Sequence, residues 1–122
     1  MRKPRALRRG DRIAILAPAS PFSREDFDAG VAELRSLGFE PVYGEDVFAR
    51  DGYVAGPAEV RARAWQAAWS DPDVAAIIAV RGGYGSVQML PLLDAALMRQ
   101  HAKACVAYSD NTSLLTWLTQ DC

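Results

Sequence analysis

Two short segments of this sequence hold the residue types that could do chemistry, a serine and a group of glycines. Residues 105–112, Cys-Val-Ala-Tyr-Ser-Asp-Asn-Thr, are typical of a buried strand that breaks at Ser109 and restarts as a helix. Residues 81–85, Arg-Gly-Gly-Tyr-Gly, form a glycine-rich turn after an earlier apolar run. Because parallel strands end at one edge of a sheet, the serine hydroxyl and the bare N–H groups of the turn would converge there. The pair predicts a nucleophile elbow beside an oxyanion hole.

Ser109 has a simpler alternative role, since a serine between a strand and a helix is commonly just the N-cap of that helix. Three features favour the nucleophile: the preceding strand is apolar, the turn after it is very short, and the glycine turn is expected at the same edge. Ala107 and Asn111 stand where the pattern G-x-S-x-G has glycines. We therefore expect the elbow to depend on the small Ala107 side chain and on the tolerance of Asn111 for unusual dihedrals.

The glycines of the turn, Gly82, Gly83 and Gly85, could leave backbone N–H groups uncovered for an anionic or developing-oxyanion group. The alternative is that they only let the chain turn after a strand. A dinucleotide site is disfavoured, because Gln88 stands where a third glycine belongs and two prolines occupy the loop after the first strand. The Gly-Lys-Ser/Thr ending of a phosphate loop is also missing from this turn.

A serine nucleophile needs a base, and the sequence offers one histidine, His101. It falls near the end of a helix and before the fourth strand, which places it at the opposite edge of the sheet from Ser109. We interpret it as a solvated or capping histidine. One histidine and two distant cysteines, Cys105 and Cys122, cannot assemble a metal cluster. The sequence therefore predicts a nucleophile and an oxyanion hole without a base, a metal or a cofactor.

The elements that position these residues alternate regularly along the chain. Apolar runs predict strands over 11–17, 39–43, 74–80 and 104–108. Helical spacing and capping residues predict helices from Ser23 to Gly38, from Pro57 to the turn at 71–73, over 87–100 and over 111–120. The order β-α-β-α-β-α-β-α predicts an α/β fold, a three-layer parallel sheet with helices on both faces, flavodoxin-like.

Two local features refine that prediction. Pro41 lies in the second strand, and a proline favours a position at the edge of the sheet. Trp65 and Trp69 are four residues apart on the second helix, a spacing more typical of packing than of ligand stacking.

Length and composition limit the class of protein. The 122 residues are enough for one domain, half of them are hydrophobic, and the net charge of −1 disfavours nucleic-acid binding. A basic cluster over residues 2–12 is interpreted as a solvated terminus, with an anion-binding arm as the alternative. No stretch approaches the length of a membrane span, and the two cysteines give no disulfide framework, so we expect a cytoplasmic protein. The apolar segment 114–118 lies close to the last residue. We therefore expect this sequence to be the front part of a longer protein.

Taken together, several motifs resemble the LD-carboxypeptidase family of serine peptidases, which includes murein tetrapeptide carboxypeptidase and the microcin C immunity peptidase. The resemblance covers almost the whole chain. The most specific motifs are Arg-Gly-Gly-Tyr-Gly-Ser at 81–86 and Tyr-Ser-Asp-Asn-Thr at 108–112, and the others lie at 8–14, 17–21, 37–39 and 90–94.

The resemblance implies a two-domain enzyme with a Ser-Glu-His triad, of which residues 1–122 are the N-terminal, nucleophile-bearing domain. Ser109 would be the nucleophile, and backbone N–H groups of Gly82, Gly83 and Asp110 would form the oxyanion hole. The Glu and His would belong to a C-terminal domain outside this chain, so the fragment alone is expected to be inactive.

The resemblance also implies a substrate and an assembly. The reaction would be hydrolysis of the amide bond before the terminal D-alanine of murein tetrapeptide, without a cofactor, by a homodimer. Two alternatives stay open: a peptidase that cleaves aminoacyl-nucleotide amides, and a non-catalytic flavodoxin-like module that binds an anion.

Overall fold

The computed structural model describes residues 2–122, which form a parallel sheet of four strands in the order β2-β1-β3-β4. The strands are β1 (Arg12–Leu16), β2 (Glu40–Val42), β3 (Val74–Ala79) and β4 (Ala104–Val106). A helix follows each of the first three strands and returns the chain to the same end of the sheet. Strand β4 also leads into a helix, which is the last element. The predicted parallel α/β sheet is therefore confirmed, and all four strands end at one edge.

Four α-helices connect or follow these strands: α1 (Arg24–Ser36), α2 (Ala58–Ser70), α3 (Ala95–Gln100) and α4 (Thr112–Asp121). Three short 3-10 segments add turns at Glu45–Phe48, Ser86–Leu92 and Ser109–Asn111. Ser23 caps α1 as expected, because its hydroxyl accepts the N–H of Asp26 at 3.1 Å. No helix within residues 2–122 has both the length and the apolar character needed to cross a bilayer.

One face of the sheet is covered by α2, α3 and α4, whose apolar side chains form the larger core. Trp65 and Trp69 are both buried in it, with ring centroids 6.1 Å apart, and the Trp69 indole N–H donates to the Met98 carbonyl at 3.1 Å. Ile77 of β3 and Leu114 of α4 are fully buried against them. The two tryptophans are therefore packing residues, as their spacing indicates.

The other face is covered by α1, whose Phe27 and Val31 pack on Ile15 of β1. Phe22 and Phe48 surround Phe27, with ring centroids 5.2 and 4.9 Å from it. Helices on both faces of the sheet are thus confirmed. The edge position of β2, which contains a proline, also agrees with the sequence.

Several elements are shorter than the sequence indicates, and β1 and β2 each lack one expected residue at both ends. The helix expected over 87–100 is wrong in extent, because the chain forms the 3-10 segment Ser86–Leu92 and then the separate helix α3. Pro91 has no N–H to continue an α-helix, Leu93 is extended, and the Asp94 carboxylate accepts the N–H groups of Ala96 and Leu97 to start a new one. Strand β4 ends at residue 106 instead of 108, and Tyr108, just before the elbow, is extended outside the strand.

Candidate active site

Ser109 lies immediately beyond β4 at the carboxyl edge of the sheet, with its side chain exposed. Its φ of +58° makes it the only non-glycine residue with a positive φ within residues 2–122. Tyr108 before it is extended and Thr112 after it is helical, so the chain changes direction at a single strained residue. A left-handed conformation in a non-glycine residue costs about 1–3 kcal/mol and concentrates at functional sites. This backbone is the strand-turn-helix geometry of a nucleophile elbow.

Asn111 has a different part in this elbow from the one expected. The expectation that it would adopt the unusual dihedrals is wrong, because its φ and ψ of −68° and −4° are helical and Ser109 takes the left-handed conformation instead. Asn111 is fully buried, and its side-chain amide donates to the Arg81 carbonyl at 2.9 Å. Asn111 therefore ties the elbow to the start of the glycine turn.

The glycine turn and the elbow are in direct contact through Gly82. A Cβ placed on Gly82 would lie 2.7 Å from the Ser109 Cβ, 3.0 Å from its Oγ and 3.1 Å from the Asp110 nitrogen. Atoms other than hydrogen cannot approach so closely, so only glycine fits at this position. The structure thus brings together the residues that the sequence places at one edge of the sheet.

The orientation of the Gly82–Gly83 peptide follows from one hydrogen bond. The Ser20 N–H donates to the Gly82 carbonyl at 3.3 Å, and no peptide bond in residues 2–122 is cis. In a trans peptide the N–H points opposite to the carbonyl, so the Gly83 N–H is directed away from Ser20. Neither this N–H nor that of Asp110 donates to another residue of the part described. Both are available to an oxygen atom placed beside the elbow.

Gly83 itself allows the loop around Ser20 to pack closely. Its φ is +107°, and a Cβ there would overlap the Ser20 side chain. The Ser20 hydroxyl accepts the Tyr84 N–H at 3.0 Å and donates to the Tyr53 carbonyl at 2.9 Å. Tyr53, Tyr84 and Tyr108 are all largely exposed, so three phenol rings border the edge that carries Ser109.

Ser86 locks the residue that follows the serine. It is fully buried; its N–H donates to an Asp110 carboxylate oxygen at 2.9 Å, and its hydroxyl donates to the Asp110 carbonyl at 2.8 Å. The Ser113 hydroxyl is 2.7 Å from the Ser86 hydroxyl and completes the group. Asp110 is therefore held through both its side chain and its carbonyl. In the sequence Ser86 stood out only as the last residue of the motif at 81–86, because its partner Asp110 lies 24 residues away.

Arg61 of α2 joins the loops behind the site. Its side chain is buried, and its guanidinium donates to the Pro18 and Gly85 carbonyls at 2.8 Å and to the Gly56 carbonyl at 2.9 Å. The fourth acceptor is the side-chain oxygen of Gln88. Among residues 2–122 no carboxylate forms an ion pair with it, and burial lowers the pKa of Arg61. Sequence reasoning missed this residue, because an arginine on a predicted helix indicates an exposed position.

A base for Ser109 is not found within residues 2–122. His101 ends α3 and precedes β4, whereas Ser109 follows β4, so the strand separates them. No group of three or more potential metal ligands occurs in the described part of the chain. Cys105 is not a rival nucleophile, because burial raises the pKa of its thiol to about 12 and only the thiolate is reactive.

The fold and this edge define a class: a parallel α/β domain that carries a strained serine at a strand-to-helix turn, in contact with a glycine turn. Residues 13–122 match a family described as the LD-carboxypeptidase N-terminal domain. The chain therefore belongs to the LD-carboxypeptidase family, as the resemblance in its motifs indicates.

Two curated relatives illustrate the range of that family. The murein tetrapeptide carboxypeptidase of Pseudomonas aeruginosa is 35% identical over 106 residues, which are 86% of this chain and 34% of the relative. The microcin C7 self-immunity protein MccF of Escherichia coli is 33% identical over 109 residues, which are 87% of this chain and 32% of the relative. The chain spans about a third of the length of these relatives.

A solved structure of MccF, a W186F mutant in complex with adenosine monophosphate, superposes on this chain with a TM-score of 0.93. The sequences are 27% identical, and the match covers 99% of this chain and 37% of that one. The agreement shows that the sheet and helices described above are those of the family.

Proposed function

We propose that this chain is the nucleophile-bearing part of a serine-type LD-carboxypeptidase. The observation that carries the proposal is the left-handed backbone of Ser109 in contact with Gly82. Ser109 is exposed, so the strained backbone is not needed to bury its side chain. It does present the hydroxyl beyond the end of β4, next to two N–H groups without acceptors in residues 2–122.

In the proposed reaction the Ser109 Oγ attacks the carbonyl carbon of the amide and transfers its proton to a histidine. The carbonyl oxygen becomes an oxyanion that accepts N–H groups from the Gly82–Gly83 turn and from Asp110. The C–N bond then breaks, and the leaving amine takes the proton from the histidine. Water hydrolyses the resulting ester and regenerates the serine.

The histidine and the glutamate that orients it are proposed to lie outside residues 1–122. Support comes from the position of His101 on the wrong side of β4 and from the fraction of the relatives that this chain spans. Residues 1–122 alone are then expected to be inactive. Loss of triad partners lowers kcat by about 10⁴-fold or more in other serine hydrolases.

The proposed substrate is murein tetrapeptide, cut before its terminal D-alanine. The name of the Pseudomonas aeruginosa relative supports this choice. The second candidate is an aminoacyl-nucleotide amide, which is favoured by the MccF relative and by solved MccF complexes with aspartyl sulfamoyl adenosine and glutamyl sulfamoyl guanosine.

A cytoplasmic homodimer completes the proposal. Cys105 and Cys122 are both free thiols, which suits a reducing compartment. Leu37 and Val106 expose more than half of their apolar side chains, which suits association. Light scattering that gives the mass of one chain would contradict the dimer.

Full-length protein and a substrate panel test the proposed function. The panel is murein tetrapeptide, an aminoacyl-nucleotide amide and, for binding only, inorganic phosphate. Release of D-alanine from the tetrapeptide with the higher kcat/KM supports the carboxypeptidase, and faster cleavage of the nucleotide amide supports the second candidate. Stoichiometric phosphate binding with no turnover of either amide would contradict both and favour the non-catalytic module.

A further inference from the structure

Arg81 stands at the start of the glycine turn and has no role in the chemistry described so far. Its carbonyl is fixed by the Asn111 amide at 2.9 Å, so its backbone is tied to the nucleophile elbow. Its side chain is exposed. The residue therefore has a fixed base and a guanidinium that faces solvent at the same edge as Ser109.

The guanidinium of Arg81 rests against the turn and uses little of its hydrogen-bonding capacity. One terminal nitrogen donates to the Pro21 carbonyl at a long 3.3 Å. The other would lie 3.5 Å from a Cβ on Gly83, which places it beside Gly83 on the side of the turn where Ser20 packs. A guanidinium has five N–H donors, so most of them remain for another partner.

Four arginines of the chain are satisfied in ways that Arg81 is not. Arg5, Arg12 and Arg24 form ion pairs with carboxylates, and the buried Arg61 donates to four acceptors of the protein. Within residues 2–122 no carboxylate lies within 4.0 Å of Arg81. It is a cation without a counter-ion, one to two residues from the proposed oxyanion hole.

We propose that Arg81 binds the terminal carboxylate of the substrate, an inference that rests on the carboxypeptidase function proposed above. In such a substrate the scissile nitrogen and the carboxylate carbon are attached to the same Cα, so the carboxylate lies two bonds from the amide that is cut. A group that recognises it must therefore stand within a side chain's length of the oxyanion hole. Arg81 meets that condition, and its planar fork matches a carboxylate with two parallel N–H···O bonds.

This assignment gives the enzyme a reason to prefer chain ends. A free carboxylate would form charge-assisted hydrogen bonds with Arg81, whereas a carboxamide or a longer peptide would present a neutral group there. The Arg81 contact is a specificity contact, so its loss should weaken the preference for the charged substrate more than it weakens the chemistry.

The test compares two substrates that differ only in charge, murein tetrapeptide and its C-terminal carboxamide, with full-length protein. For the wild type, kcat/KM should favour the free acid by about 10- to 100-fold, the size of a charge-assisted hydrogen bond. Arg81→Gln should bring that ratio close to one while the carboxamide is still cleaved. Arg81→Lys keeps the charge without the fork, so its ratio should fall between the two and it carries the test if Arg81→Gln does not fold.

Arg50→Gln is the matched control, since Arg50 is an exposed arginine that donates to the neighbouring Phe22 carbonyl at 2.9 Å. Its ratio should equal that of the wild type. If Arg81→Gln keeps the wild-type ratio while the wild type hydrolyses the tetrapeptide, the carboxylate assignment is overturned and the proposed function stands. If the wild type releases no D-alanine at all, the proposed function fails first and the assignment fails with it.

Discussion

At the scale of single residues, the proposed chemistry depends on the backbone of Ser109. A φ of +58° in a serine is unfavourable by itself, and three contacts hold it in place. Gly82 packs against its side chain, Asn111 bonds back to Arg81, and Ser86 clamps the next peptide. The elbow is therefore imposed by its surroundings, which is how strained residues persist in folded proteins.

Gly82→Ala tests the contact between the turn and the elbow. The added Cβ would stand 2.7 Å from the Ser109 Cβ and 3.1 Å from the Asp110 nitrogen, so the elbow must shift. We expect kcat of the full-length protein to fall by about 10²-fold or more, the effect of losing an oxyanion-hole donor. Steady-state kinetics on the substrate that the wild type hydrolyses best would measure it.

Gly30→Ala is the control for that substitution. Gly30 lies within α1 with nothing within 4 Å of an added Cβ and without a positive φ. Alanine there should raise the free energy of unfolding by about 0.5–1 kcal/mol and leave kcat unchanged. Equal losses of activity in the two variants would contradict a specific role for Gly82.

At the scale of elements, Arg61 decides how the loops at the edge of the sheet are held. It connects α2 to the loop after β1, to the loop before α2 and to the glycine turn. Each of these loops is distant from the others in sequence. A single buried guanidinium thus replaces the sheet contacts that loops cannot make.

Arg61→Met should leave the Pro18 and Gly85 carbonyls without a donor in a buried site. Each unsatisfied buried group costs about 1–3 kcal/mol, so we expect the free energy of unfolding to drop by about 3 kcal/mol or more. Arg63→Met, two residues along the same helix at an exposed position, should change it by less than about 0.5 kcal/mol. Urea unfolding of both variants measures the difference, and equal stabilities would show that the Arg61 bonds are not needed.

The strands and most helices could be predicted from the sequence because their signals are local. The apolar run of β3 and the Ser23 cap of α1 need no knowledge of the rest of the chain. The break between Ser86–Leu92 and α3 was harder to predict, since the apolar spacing continues through it. There Pro91 and the Asp94 cap override the periodicity.

Only part of the candidate site could be predicted from the sequence. The meeting of Ser109 with Gly82 follows from parallel strands that end at one edge, a rule of topology. The burial of Arg61 and Ser86 depends on acceptors that come from other loops, and no local pattern encodes them. The left-handed conformation also falls on Ser109 instead of Asn111, because Asn111 gains a buried bond to Arg81.

At the scale of the whole molecule, α-helices cover both faces of the sheet, and a hydrophobic core lies on each face. Cys105 of β4 packs at the border of the larger core. Burial raises the pKa of its thiol to about 12, above the value near 8.5 of an unfolded cysteine. A raised folded pKa gives stability that is present below pH 8.5 and is lost as the pH rises toward 12. Folding stability should therefore fall in alkaline solution.

Cys105→Ala isolates this contribution. The wild type should lose about 2 kcal/mol of unfolding free energy between pH 7 and pH 10 through this thiol. The variant should lose less over that interval by about the same amount, whatever the constant cost of its smaller side chain. Urea unfolding at the two pH values measures the slopes, and identical slopes would contradict the pKa argument.

The central claim is that Ser109 is the nucleophile of an amide hydrolase, and the most direct measurement is kcat of full-length Ser109→Ala on murein tetrapeptide. Ser36→Ala is the matched control, because the Ser36 hydroxyl bonds only to the Glu33 carbonyl at the end of α1. We predict that Ser109→Ala lowers kcat by about 10⁴-fold or more while Ser36→Ala leaves it unchanged. If folded Ser109→Ala released D-alanine at the wild-type rate, Ser109 would not be the nucleophile.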